Sequence, residues 1–273
     1  MMKKTKLIQL LAVAFVFILS SCSKDDKQSP KSNNYVLVHG AWQAPYAWQT
    51  VKSILEKQGN KVIVIELPGH GDDHTTPADI TLDVYRDKVI NAISTIDGKV
   101  ILVGHSLGGM VISAVAEALP AKIEKLVYVA AYLPVSGQTL DSLAHMDPDS
   151  HLGGDGILIF NYDAFTVDVK QDQIIDLFIQ DGTPQVQSLV LQNYRTEPLK
   201  PFINPVTLTA QNFGSVKKAY IKTLQDHVVS PYLQGKMIAD GGVKSVYQIN
   251  TGHSPFLSQP DTLTSLLTKI ANN

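Results

Sequence analysis

Between Val100 and Met110 the chain reads Val-Ile-Leu-Val-Gly-His-Ser-Leu-Gly-Gly-Met. Val100-Ile-Leu-Val103 is a short solid apolar run, the pattern of a strand buried on both faces. A helix is expected from about Gly109 to Leu119, closed by Pro120. The reversal between them, Gly104-His105-Ser106-Leu107-Gly108, fits G-x-S-x-G. Such a turn is so tight that residues flanking the serine must be small, or their Cβ atoms collide. Ser106 is thereby raised at the end of the strand with its hydroxyl presented above a helix N-terminus. A phosphate-binding loop would need G-x-x-x-x-G-K-[ST], and no lysine stands there.

Outward from this turn, short β-branched runs alternate with longer amphipathic segments. Strands are expected at Tyr35-Val-Leu-Val38, Lys61-Val-Ile-Val-Ile-Glu66, Val100–Val103, Lys125-Leu-Val-Tyr-Val129, Lys217-Lys-Ala-Tyr-Ile221 and Ser245-Val-Tyr-Gln-Ile249. Helices are expected near Trp48–Gln58, where Gly59 suits a left-handed C-terminus, and from a Thr81 cap to about Ser94. Six apolar strands separated by helices predict an α/β fold, a mostly parallel sheet with helices on both faces. Residues 134–205, after the fourth strand, have a mainly helical pattern, clearest at Asp172–Gln180 and Pro184–Tyr194. A connection this long is expected to be a functional lid. It carries ten acidic residues against Lys170, Arg195 and Lys200, which argues against polyanionic substrates and for neutral or cationic ones.

A serine hydroxyl is a poor nucleophile until a base takes its proton. His253, in Asn250-Thr-Gly-His-Ser254 just after the last strand, is the expected base. Asp226, in Thr223-Leu-Gln-Asp-His227 after the fifth strand, is the expected acid that fixes the imidazole tautomer. Asp240, before Gly241-Gly242 at a helix end, reads as surface. The chain order serine, acid, histidine matches this type of strand-turn-helix site. His39-Gly-Ala-Trp42 follows the first strand, where the backbone N–H groups of Ala41 and Leu107 would form the oxyanion hole. His39 and His105 are expected to be hydrogen-bonding groups inside the two turns. Of the aromatic residues Trp42, Tyr46, Phe160, Tyr162, Phe165, Phe178 and Phe202, a few are expected to line an acyl pocket.

Val38-His-Gly-Ala41 with Trp48, Leu67-Pro-Gly-His-Gly71, Val103-Gly-His-Ser-Leu-Gly-Gly-Met110, Tyr220-Ile-Lys-Thr223 and Gly252-His-Ser-Pro255 resemble the esterase and hydroxynitrile-lyase family. Its plant members include the methyl esterases of the salicylic-acid-binding type. The resemblance covers residues 35–270 apart from the lid, and it implies an α/β-hydrolase fold lacking the first two strands of larger relatives. The plant lyases carry Thr after the strand-end His and Lys after the catalytic His. Here those positions are Gly40 and Ser254, the esterase-like state. The expected reaction is hydrolysis of small apolar or aromatic carboxylic esters through an acyl-enzyme, with no metal or organic cofactor. The rival readings are a lyase or other C–C bond-cleaving enzyme on the same triad, and a non-catalytic binding lipoprotein. His70-Gly-Asp-Asp-His74 lacks the spacing of the binuclear zinc hydrolases and reads as a polar loop.

The N-terminus reads separately. Lys3, Lys4 and Lys6 precede an apolar stretch, Leu7–Leu19, so residues 1–21 read as a signal peptide too short to serve as a spanning helix. Leu19-Ser-Ser-Cys22 resembles the bacterial lipobox, which makes Cys22 the expected lipidation site and residues 22–34 a polar tether. The hydrolase domain would then be 35–273, held to the cell envelope (outer membrane, periplasmic face or cell surface) through the lipid alone. Cys22 is the only cysteine, so the domain has neither a disulfide nor a thiol nucleophile. Loss of the three leader lysines takes the formal charge from −2 to −5, leaving no electrostatic basis for nucleic-acid binding.

Overall fold

The computed structural model describes residues 32–273. The signal segment, Cys22 and most of the tether lie outside the described residues. Six strands form one sheet: β1 (Asn34–Val38), β2 (Lys61–Ile65), β3 (Val100–His105), β4 (Ile123–Val129), β8 (Lys218–Thr223) and β9 (Ser245–Ile249). Their order is β2-β1-β3-β4-β8-β9, and every pairing is parallel. The strand order reverses beside β1, so the loops leaving β1 and β3 open a crevice at the carboxyl edge. That is where ligands bind in open α/β sheets.

Alternation along each strand divides the core into two faces. Val36, Val38, Leu102, Leu126, Tyr128 and Tyr220 point to one side. There they meet α2 (Leu82–Ser94), α3 (Gly108–Ala118) and α8 (Pro231–Asp240). Tyr35, Leu37, Ile101, Val103, Val127 and Ile221 point to the other, against α1 (Gln49–Lys57), α9 (Pro255–Ser258) and α10 (Pro260–Asn272). On α10, Leu263, Leu267 and Ile270 recur at helical spacing and are fully buried. Each such side chain contributes about 1.5–3 kcal/mol relative to exposure. The expected caps are present: Thr81 accepts from the Val84 N–H, and Gly59 follows α1 at φ +86°.

The segment between β4 and β8 is mainly helical and adds one feature to its sequence reading. It has helices α4 (Leu140–Ala144), α5 (Ile174–Ile179), α6 (Pro184–Asn193) and α7 (Lys200–Ile203), and the two strongest helical patterns fall on α5 and α6. It also holds a three-stranded antiparallel sheet, β5 (Leu158–Asn161), β6 (Thr166–Val169) and β7 (Glu197–Pro198), in that order. The lid is therefore mainly helical, as its sequence reads, with a small sheet added that the sequence does not display. Runs of two to four residues are too short to display a period of two, and β7 exists only by pairing with β6. Among the described residues no helix is long and apolar enough to cross a membrane.

Candidate active site

The turn after β3 has the shape its sequence demands. Ser106 sits at φ +51°, a left-handed conformation costly for a residue with a Cβ, and its carbonyl accepts from the N–H groups of Gly109 and Tyr132. A Cβ at Gly104 would stand 2.6 Å from the Gly108 carbonyl oxygen. One at Gly109 would stand 2.1 Å from that of Tyr132, so neither position admits a side chain. The loop after β1 presses on the same turn. A Cβ at Gly40 would lie 2.7 Å from both Ser106 Cβ and His105 Nδ1. Among the described residues neither the Ala41 nor the Leu107 N–H donates a hydrogen bond, although both residues are buried. Buried donors without an acceptor are rare, and here they flank Ser106.

His253 and Asp226 meet as expected. His253 Nδ1 donates to the Asp226 carboxylate at 2.9 and 3.0 Å, and both side chains are buried. The carboxylate is also held by the Val228 and Val229 N–H groups at 2.8 and 2.9 Å and by the Thr223 hydroxyl at 2.8 Å. With its proton on Nδ1, His253 keeps Nε2 as an acceptor. The residue before Ser106 brings this histidine to the turn: His105 Nε2 donates to the His253 carbonyl at 2.9 Å, and the two rings are 4.5 Å apart. Asp240 lies on the surface, paired with Lys236 at the end of α8.

The lid is stitched to the loops that carry these residues. Asp147 accepts from Ser230 N at 2.8 Å and from its hydroxyl, and Ser150 Oγ donates to the Val228 carbonyl. Gln180 donates to the Gln225 carbonyl, and Asp181 accepts from Gly252 N, one residue before His253. Of the ten lid acids, Asp147 is buried in these contacts, whereas Asp149, Asp155, Asp163, Asp172 and Asp181 are exposed.

Glu197 is the largest surprise. Its carboxylate is fully buried and accepts from Trp42 N at 2.8 Å, Tyr85 OH at 3.0 Å and His70 Nε2 at 2.7 Å. Burial pulls the His70 pKa down, but the Glu197 carboxylate beside it wins and holds it above the ordinary value. His70 therefore turns into the core instead of belonging to a polar loop, and the sequence reading of residues 70–74 is corrected there. Trp42 itself stands at φ +57°, packs against Phe178 and Phe202, and donates from Nε1 to the Val167 carbonyl at 3.0 Å. Phe178 also packs on His253. Phe202 lines a lid cavity of about 410 Å³ together with Leu140, Ala144, Leu152 and Leu199. Phe160, Tyr162 and Phe165 are exposed. Beside His253, the Ser254 hydroxyl accepts from Gln43 Nε2 at 3.0 Å in a neutral buried pair.

His39 donates from Nδ1 to the Gly40 carbonyl and accepts at Nε2 from Leu67 N, a neutral tautomer. Burial, reinforced by His70, takes its pKa from 6.5 to about 3, and burial with the neighbouring His253 takes His105 well below 6.5. The unfolded chain binds protons at both residues below about pH 6.5, and the native chain does not. Their stability contribution is therefore present above that pH and lost as pH falls, by up to about 1.4 kcal/mol per unit for each. His70 has the opposite sign. Its contribution is present below 6.5 and fades as pH rises through its raised folded value. Thermal unfolding should show Tm falling from pH 6.5 towards 5, with a shallower slope in His39→Gln. Equal slopes would show that His39 is not one of the titrating groups.

These features define a class. Residues 35–266 match the alpha/beta hydrolase family, and the chain belongs to it. A chloroplastic Arabidopsis thaliana protein assigned as methylesterase 11 is 31% identical over 256 residues, covering 88% of this chain and 64% of its own. The chain thus spans less than two thirds of that relative's length. Methylesterase 8 of the same plant is 27% identical over 273 residues, covering 95% of this chain and 97% of its own. The crystal structure of polyneuridine aldehyde esterase has the same fold, with TM-score 0.79 at 24% identity over 88% of this chain and 100% of that one.

Proposed function

We propose that this chain is a serine esterase that cleaves small, apolar or aromatic carboxylic esters. The observation that carries the reading is the convergence on one turn of a strained Ser106, two unpaired buried amides and the His253–Asp226 pair. Ser106 Oγ attacks the ester carbonyl while His253 Nε2 takes its proton. The N–H groups of Ala41 and Leu107 hold the oxyanion, each contributing on the order of a hundred- to a thousand-fold in rate. The C–O bond to the alcohol then breaks, and His253 returns the proton to the leaving oxygen. Water, deprotonated by the same histidine, releases the acid and restores Ser106. Asp226 keeps the imidazole in the tautomer that this cycle needs and stabilises the imidazolium. The names of the methylesterase relatives support the same chemistry.

Two positions favour ester hydrolysis over C–C cleavage. At Gly40 any side chain would displace His105 or Ser106, so no hydroxyl reaches the substrate from there. At Ser254 the hydroxyl is engaged by Gln43, and no ammonium is present to stabilise a departing carbanion such as cyanide. Trp42, next to the proposed oxyanion donor Ala41, and Phe178, packed on His253, supply apolar surface beside the triad, which suits an apolar or aromatic acyl group. The direct test is hydrolysis of short p-nitrophenyl esters by the full chain. A folded protein with no turnover on any of them would favour the binding-protein reading.

The localisation proposal rests on sequence. A basic start, a short apolar stretch and Leu19-Ser-Ser-Cys22 support a lipid-anchored envelope protein held through Cys22. Labelled palmitate should enter the chain in a lipoprotein-processing host and be absent from Cys22→Ala. Equal labelling of the two would remove the anchor assignment.

A further inference from the structure

A second cluster of chemistry-bearing side chains lies across the junction of lid and acid loop. His151 of the lid, Asp176 in the first turn of α5, and His227 each offer one ligand atom, all within 4.8 Å of one another. His151 Nδ1 is 2.9 Å from Asp176 Oδ2, and His227 Nδ1 is 3.2 Å from Asp176 Oδ1. The Asp176 backbone carbonyl is also 3.1 Å from His227 Nδ1. The two imidazole rings are 4.0 Å apart and tilted by 33°. The His151 N–H donates to the His227 carbonyl at 2.9 Å, so main chain holds the two segments in register.

We propose that His151, Asp176 and His227 form a three-ligand site for a divalent transition-metal ion of the zinc class, which pins the lid to the loop carrying Asp226. Two imidazoles and a carboxylate are the donor set that suits such an ion, with one position left for water. Bonds of roughly 2.0–2.2 Å at a tetrahedral centre put neighbouring donor atoms about 3.3 Å apart. The nitrogen-to-oxygen separations here, 2.9 Å to Oδ2 and 3.2 Å to Oδ1, reach the two oxygens of one carboxylate, and one ligand atom from each of the three residues lies within 4.8 Å of the others. Both Nδ1 atoms face the same carboxylate, so one dication takes the place of two N–H protons, which leave to solvent. His151 is exposed and the other two are partly so, which gives an ion access from water. The ion takes no part in ester cleavage. It acts through His227, the neighbour of Asp226, and through α5, which carries Phe178.

The test uses the untagged full chain, stripped with chelator and titrated with Zn2+ alone by calorimetry, with thermal unfolding alongside. The expected result is one Zn2+ per chain and a rise in Tm, because the ion bridges segments that are close only in the native state. His151→Ala removes an exposed side chain and should weaken binding by about 100-fold or more, abolishing the rise. His145→Ala, an exposed lid histidine outside the cluster, should bind Zn2+ as the parent does. The proposal is overturned by a parent that binds no stoichiometric Zn2+. It is equally overturned if His151→Ala binds like the parent, or if His145→Ala loses binding. These readouts are independent of ester turnover, so failure here leaves the esterase reading standing.

Discussion

Ser106→Ala should lower turnover of short p-nitrophenyl esters by about four to six orders of magnitude, the scale at which loss of a serine nucleophile leaves only the oxyanion hole and binding. The substitution is small. Alanine meets the same backbone strain at φ +51° as serine, and no hydrogen bond of the Ser106 side chain holds the turn together among the described residues. Its fold and Tm should therefore match the parent's, which separates a chemical loss from a structural one. A fluorophosphonate should label the parent and fail to label the variant. A loss of less than tenfold, with labelling retained elsewhere, would mean that another residue attacks the ester. The size of the expected effect follows from the role: without Oγ there is no covalent intermediate, and His253 has no proton to remove.

Glu197→Ala should be the most destabilising single change among the polar residues near the site. It removes the acceptor for Trp42 N, Tyr85 OH and His70, all of them buried. Removing one partner of a buried ion pair typically costs about 3–5 kcal/mol, a large share of the roughly 5–15 kcal/mol of a whole domain. At about 2–4 °C per kcal/mol for a chain of this size, Tm should fall by roughly 10 °C. Activity should fall as well, and in kcat more than KM, because the Trp42 amide adjoins Ala41, whose N–H is a proposed oxyanion donor. Glu197→Gln keeps one acceptor oxygen and should fall between the two. A Glu197→Ala protein within 1 kcal/mol of its parent by denaturant unfolding would show that the network carries little stability.

These two residues mark the line between what was legible in the chain and what was not. Ser106 could be read directly. A solid apolar run, a Gly-x-Ser-x-Gly turn and a helix follow one another within eleven residues, and each is a local consequence of sterics. His253 and Asp226 were readable because each lies in the first loop after a recognisable strand, and parallel strands deliver those loops to one edge of the sheet. Strand number and parallel pairing likewise follow from apolar runs that alternate with helices.

Glu197 gave no such signal. Its partners His70, Tyr85 and Trp42 lie 127, 112 and 155 residues away, and nothing around Glu197-Pro198 distinguishes it from the other nine acidic residues of the lid. The lid sheet was hidden because its strands are only two to four residues long, and β7 acquires its conformation from β6. The His151–Asp176–His227 cluster was hidden because a helix turn and two loops must be brought together before any ligand spacing exists. The sequence by itself determined the elements and the turn that raises Ser106, since contiguous residues and backbone sterics suffice for those. Tertiary structure alone decided which buried charges find partners and how the lid grips the site, since desolvation and hydrogen-bond satisfaction depend on neighbours that only folding supplies.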